Sequence, residues 1–240
     1  MDIIIGGGKY GLSAFERTRK DKRSAIIIDE DPDCTVRKKY EIPETDTEKP
    51  LEYTVFPETH VTEYIFIRGG TDAAAEIIFN AGRMDEMPFD RVFPTAPVHV
   101  PAGIISYICG FEPYPEGADR ITGAIGEDII SGRNKADIYC TLNHEKPCSP
   151  VCPAPAICPV TGKKRETPLW KTLQNLLLRC CPEPGFKAVI IQSRQLGPGL
   201  GYIKCPDLVN AANLVRNEKN VIIGTACTCH GVVTVLKKKE

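Results

Sequence analysis

Gly6, Gly8 and Gly11 form a G-x-G-x-x-G pattern, and Cys148, Cys152 and Cys158 gather three thiols in one proline-rich stretch. The glycines suit phosphate recognition. Gly6 permits a tight turn, Gly8 lets a pyrophosphate approach the backbone, and Gly11 lets a helix pack close to the sheet. The pattern follows the apolar run Ile3-Ile4-Ile5 and opens a helix-like stretch. The N-terminus of such a helix offers free N–H groups and a positive dipole end to an anion. A second apolar run, Ala25 to Ile28, ends in Asp29-Glu30-Asp31. Asp29 sits where a carboxylate accepts hydrogen bonds from a ribose hydroxyl. Strand, helix, strand and acid in this order predict a Rossmann βαβ unit. Its candidate cofactor residues are Gly6, Gly8, Lys9, Tyr10, Gly11, Asp29 and Glu30, and its ligand is NAD(H) or another adenine nucleotide.

The thiols suit a metal. Prolines hold such a segment at the surface, so burial does not explain three cysteines there. Thiolates placed so close repel one another unless a cation neutralises them. The spacing Cys148-x3-Cys152-x5-Cys158 matches neither paired zinc-ribbon cysteines nor the ferredoxin run. Cys-Pro steps at irregular spacing are compatible with a [4Fe–4S] cluster, with structural zinc as the alternative and inert thiols as the third. A fourth ligand is sought among Cys140, Cys180, Cys181, Cys205, Cys227, Cys229, His230 and His144; the turn Cys227-Thr228-Cys229-His230 leads, with Cys229 or Cys227 the first choice and Cys140 the next. Packed, metal-free thiols at this turn are the competing reading.

The opening IIIGGGKYG and AIIIDEDPD resemble the RCK/TrkA-type nucleotide-binding domains that regulate potassium transport. Gly69-Gly70-Thr71-Asp72, a helical AAAEIIFNAG and then Asp90 before an apolar run add to the likeness, which covers residues 1 to about 95. The resemblance implies a pocket for NAD(H) or an adenine nucleotide. The chain departs from the pattern beyond residue 95.

The 240 residues carry a net charge of −1, 42% hydrophobic and 25% charged residues. This balance gives no electrostatic reason to expect nucleic acid or an acidic membrane as partner. No apolar run reaches the length of a membrane helix, and Met1-Asp2-Ile3 begins a strand and not a signal peptide. A cytoplasmic protein is expected. The eleven cysteines are odd in number, which argues for free or metal-bound thiols in a reducing compartment. Cys34 and Cys109 read as buried small hydrophobes, and Arg17 to Arg23 as a solvated face.

The expected fold class is α/β: a Rossmann-like parallel sheet followed by a smaller cysteine-rich α+β unit. Three parts are expected: residues 1–145 as the nucleotide-binding domain, 146–185 as a metal loop and helix, and 186–240 as a small α+β unit. Residues 33–60 read as an irregular excursion. Gly197-Pro198-Gly199-Leu200-Gly201 reads as a hairpin turn because it lacks the Lys-Ser/Thr of a phosphate loop. The leading functional expectation is a nucleotide-binding protein with a cysteine-ligated metal, redox-linked or regulatory, acting through a protein partner or a homodimer. The rivals are an NAD-dependent oxidoreductase with an iron–sulfur relay and a structural zinc protein with a degenerate Rossmann core. No hydrolase signature is present, and no catalytic residue is identifiable.

Overall fold

The computed structural model describes residues 1–45, 62–81, 87–144, 148–149, 152–180 and 186–239. It is a mixed α/β structure with two sheets. The chain forms two compact units, residues 1–108 with 202–210, and residues 109–201 with 211–240. This division differs from the three consecutive parts that composition suggests.

In the first unit, β1 (Asp2–Ile5), β2 (Ala25–Asp29), β3 (Tyr64–Arg68) and β4 (Arg91–Pro94) lie in the order β3-β2-β1-β4. All these pairings are parallel, with Ile3 opposite both Ile26 and Val92. The strands are buried along nearly their whole length. Helices cover both faces of such a sheet, so its strands lose the polar alternation of a half-exposed strand. Between β1 and β2 runs α1 (Lys9–Lys20), whose Gly11, Ala14, Phe15 and Thr18 form one buried stripe. Basic residues in its last turn complement the negative end of the helix dipole. Helices α2 (Thr35–Tyr40), α3 (Thr71–Ala81) and α4 (Val100–Cys109) follow β2, β3 and β4. The chain returns with β10 (Leu200–Lys204), antiparallel to β4, and α7 (Cys205–Val215).

Part of the segment expected to be irregular is ordered. After α2, Pro43 and Thr45 exchange backbone hydrogen bonds with Phe66, so the chain runs along β3. Only Val36 of α2 is buried, which is why no apolar period announces this helix. Residues 46–61, with His60, lie outside the described residues.

The second unit has the sheet order β6-β7-β12-β11-β8, from β6 (Ile130–Asn134), β7 (Asp137–Thr141), β8 (Phe186–Gln192), β11 (Asn220–Ala226) and β12 (His230–Lys238). β5 (Phe111–Pro113) also pairs with β12. β8 and β11 are parallel; β11–β12, β12–β7 and β6–β7 are antiparallel. Residues 111–141 therefore belong to this sheet and not to the Rossmann part, because β7 finds its partner in β12 almost a hundred residues later. Ile121 and Ile125 of α5 (Pro115–Ile125) and Leu169, Leu173 and Leu177 of α6 (Leu169–Cys180) pack on Ile222, Val233 and Val235. β9 (Arg194–Gly197) ends at the expected turn, where Gly199 has φ +70. Among the described residues no helix is long and apolar enough to cross a membrane.

At the N-terminal ends of β1 and β4, the fully buried Asp2 accepts hydrogen bonds from Arg91, Arg23 and Thr18. Arg91 also reaches Asp21, which Arg17 bonds in turn, while Arg23 reaches Asp90. The basic run 17–23 is thus not a purely solvated face: Arg17 and Arg23 are half-buried in this network. Removing one member of a buried pair strands its partner's charge. Arg91→Met is expected to lower stability by about 3–5 kcal/mol in chemical denaturation. A loss no larger than that of an exposed pair, about 0–1 kcal/mol, would show that the network holds nothing together.

Candidate nucleotide and metal sites

The glycine turn lies at the C-terminal end of β1, beside the end of β4, where the strand order reverses. Ligands of open α/β sheets bind at such a switch point. Gly6 has φ +104, a region disfavoured for any side chain, and a Cβ there would come within 2.5 Å of the Ala96 backbone. A Cβ on Gly11 would lie 1.9 Å from the Gly6 carbonyl oxygen. Both glycines are demanded by the fold. Gly8 is different: a Cβ there meets nothing within 4 Å. Gly8 is the N-cap of α1, with extended backbone and no side-chain cap. The start of the helix is thus open, and Lys9 and Tyr10 beside it are exposed.

Asp29 is occupied in a way its sequence position does not announce. One carboxylate oxygen accepts the Gly7 amide at 2.5 Å and the other the Asp31 amide at 2.8 Å. It braces the turn, whatever else it binds. The segment after β2 closes on the same turn, since the Val36 amide donates to the Gly7 carbonyl and a Cβ on Gly7 would strike the Cys34 sulfur. Cys34 is therefore buried packing, as is Cys109, and burial raises the pKa of both thiols. Glu30 is exposed and its carboxylate lies over Gly70.

The second site is built around the hairpin of β11 and β12. Cys227, Thr228 and Cys229 make its turn, closed by the Cys227 amide donating to the His230 carbonyl at 2.9 Å. All three turn carbonyls are claimed from outside. Trp170 and Leu169, at the start of α6, donate their amides to Cys227 and Thr228, and Leu142 donates to Cys229. The turn cannot shift without breaking these bonds, and the positive end of α6 faces it. The donor atoms of Cys227, Cys229 and His230 lie within 4.8 Å of one another.

The hydrogen bond from Cys229, with further ones from His230, holds Cys227 well below the ordinary thiol range, and that same bond together with burial pushes Cys229 up.

The cysteine-rich loop meets this turn. Cys148, Cys158 and Cys229 line one small cleft of about 150 Å³, with Lys163, Lys164 and Arg165 among its walls. The Asn143 side chain donates to the Cys148 sulfur at 3.1 Å. Cys158 sits in a tight turn whose flanks, Ile157 and Lys164, form a bridge, with Gly162 at φ +68. Its sulfur accepts from the Thr161 hydroxyl and from the amides of Thr161 and Val160, which lowers its pKa to about 7. Cys152 is not among the described residues that line the cleft. Its sulfur accepts from the Ala154 amide at 3.4 Å, and its carbonyl from Gln195.

Of the residues singled out in the sequence, Cys148, Cys158 and Cys229 come together, and Cys227 joins Cys229. His230 completes the close group. Its place directly after C-x-C was the available signal, and sequence alone ranked it below the thiols. Cys140 is buried in the core and pushed up to about 12 by burial, as is Cys205. Cys181 lies outside the described residues.

Two family models match the chain. One, described as "Uncharacterized protein, N-terminal domain", covers residues 1–100, and the other, "Uncharacterized protein, C-terminal domain", covers residues 103–239. A protein of Archaeoglobus fulgidus, described as "Uncharacterized protein", is 30% identical over 238 residues, which is 99% of this chain and 100% of the relative. No solved structure matches the chain. Matched along nearly its whole length, the chain belongs to the AF_1314 family, defined by these N- and C-terminal domains.

Proposed function

We propose that this is a cytoplasmic protein that binds NAD(H) or another adenine nucleotide in its first unit and a cysteine-ligated metal in its second, with a regulatory or redox-linked role. The observation that carries the proposal is the meeting of Cys148 and Cys158 with Cys229 on one cleft, from segments about seventy residues apart in sequence. Cys158 and Cys229 are buried and Cys148 is half-buried at this cleft, so thiols from distant segments share one enclosed site. Lys163, Lys164 and Arg165 give the cleft positive charge that offsets a cluster of thiolates.

The nucleotide half rests on the open start of α1. A glycine that the fold does not need, at the position where a Rossmann turn admits pyrophosphate, is explained by the ligand it leaves room for. The amides of the first turn of α1 would bind phosphate, and the lone pairs remaining on Asp29 would accept a ribose hydroxyl. Regulation in the manner of the RCK/TrkA-type domains is part of the same proposal. It requires a partner protein or a second copy of the chain to receive the signal.

Calorimetry is expected to show NADH bound in preference to NADPH, since a 2′-phosphate would meet the Asp29 carboxylate. Gly8→Ala should abolish that binding and leave the melting temperature unchanged, because its methyl group meets only open space. Equal affinity of the wild type and Gly8→Ala for every nucleotide tried would overturn this half. For the other half, protein made with supplied iron or zinc should retain metal through purification. Stripping it with a chelator should lower the thermal stability, because metal that binds only the folded state stabilises it. Unchanged melting after complete removal would speak against a built site.

A further inference from the structure

The donor set allows a narrower assignment. On the proposal that the second unit carries a thiolate-bound metal, we infer that the centre is mononuclear: one four-coordinate ion of the zinc class, held by Cys227, Cys229 and His230 of the hairpin and by Cys148 of the loop.

Three of these donors already lie within 4.8 Å of one another. Ligands set about 2.0–2.3 Å from one tetrahedral ion are about 3.5–3.8 Å apart, so a small contraction closes the set. A cubane asks for the opposite arrangement, since each of its thiolates binds a different iron and the sulfurs must stand farther apart. Mixed sulfur and imidazole donors also suit zinc.

The backbone prepares this set. With the carbonyls of Cys227, Thr228 and Cys229 tied to Trp170, Leu169 and Leu142, the turn is pinned while its sulfurs and imidazole are left to act as donors. The bond from Leu142 to Cys229 anchors the start of the loop that delivers Cys148. Asn143, next in the chain, bonds the Cys148 sulfur and fixes where it points. A partner that orients a ligand in this way is the usual outer support of a metal site.

Cys158 lines the same cleft, but it is held in a turn of its own, where its amide donates to the Lys163 carbonyl and its carbonyl accepts from the Gly162 amide, whereas Cys148 is aimed by Asn143 from the segment bonded to the hairpin. Cys152 lies outside the lining of the cleft. The assigned site therefore has four protein ligands and no open position, which makes it a staple between the loop and the hairpin and not a reaction centre.

The test is Co²⁺ binding by the full-length chain after chelation, read by visible and near-ultraviolet absorption. One Co²⁺ per chain is expected, with tetrahedral d–d bands and charge-transfer intensity for three thiolates. Cys148→Ser, Cys229→Ser and His230→Ala should each weaken binding by more than the roughly 10–100-fold typical of losing an outer-shell partner. His230→Cys should restore tight binding with stronger charge transfer, and His230 is exposed, so neither of its replacements threatens the fold. Cys152→Ser and Cys158→Ser should keep both stoichiometry and spectrum.

Loss of binding in Cys158→Ser with retention in Cys148→Ser would overturn the ligand set. Reconstitution to four irons per chain, with a cluster spectrum, would overturn the mononuclear assignment while leaving the broader metal proposal standing. Failure of the wild type to bind Co²⁺, Zn²⁺ or iron would overturn both.

Discussion

The carbonyls of Cys227 and Thr228 accept the first amides of α6, and this contact organises the second unit. It answers two demands at once. A helix begins with amides that have no partner inside it, and a tight hairpin turn leaves carbonyls that its own strands do not use. Joining them fixes α6 against the sheet, with Leu169, Leu173 and Leu177 facing Ile222 and Val233. The same contact holds the turn that brings Cys229 to the cleft, with Cys227 close beside it. The core and the candidate site thus depend on one set of backbone bonds.

In the first unit the corresponding constraint is the glycine turn after β1. Thr95 donates its hydroxyl to the carbonyls of Ile5 and Gly6, Ala96 donates its amide to Ile5, and Asp29 receives the Gly7 amide. Asp29 at the end of β2 and Thr95 and Ala96 just after β4 therefore clamp the turn from both sides, while Gly8 is left with room. At the other end of the same strands, Asp2 and Arg91 form a buried ionic clasp. The two ends differ in purpose. The N-terminal ends of the strands are filled with satisfied charge, while the C-terminal ends present backbone amides to whatever enters.

The cysteines sort by surroundings. Cys34, Cys109, Cys140 and Cys205 are buried, and burial keeps them as neutral thiols. Cys158 and Cys227 receive hydrogen bonds that favour the thiolate. The distinction follows from the donors around each sulfur, which sequence spacing alone does not report. Proline steps pointed to thiols held at the surface, but Cys158 is buried, and those steps did not separate Cys152 from Cys148 and Cys158.

The sequence by itself determined what neighbouring residues decide. Apolar runs set β1 to β4, a 3.6-residue period set α1 and α6, and the sterics of glycine set the turn at Gly6 and the close approach at Gly11. The C-x-C-H hairpin was legible for the same reason, since alternation and turn chemistry act over a few residues. Only the tertiary structure decided the pairings between distant segments. β7 takes β12 as its partner, and residues 202–210 return to the first unit. Cys148 and Cys158 meet Cys229 because Leu142 bonds the turn. Register between distant strands depends on the summed burial of a whole sheet face, and no local pattern encodes that sum. The bracing role of Asp29 was hidden likewise, because a carboxylate at a strand end serves a ribose or a backbone amide equally well until the fold brings one of them within reach.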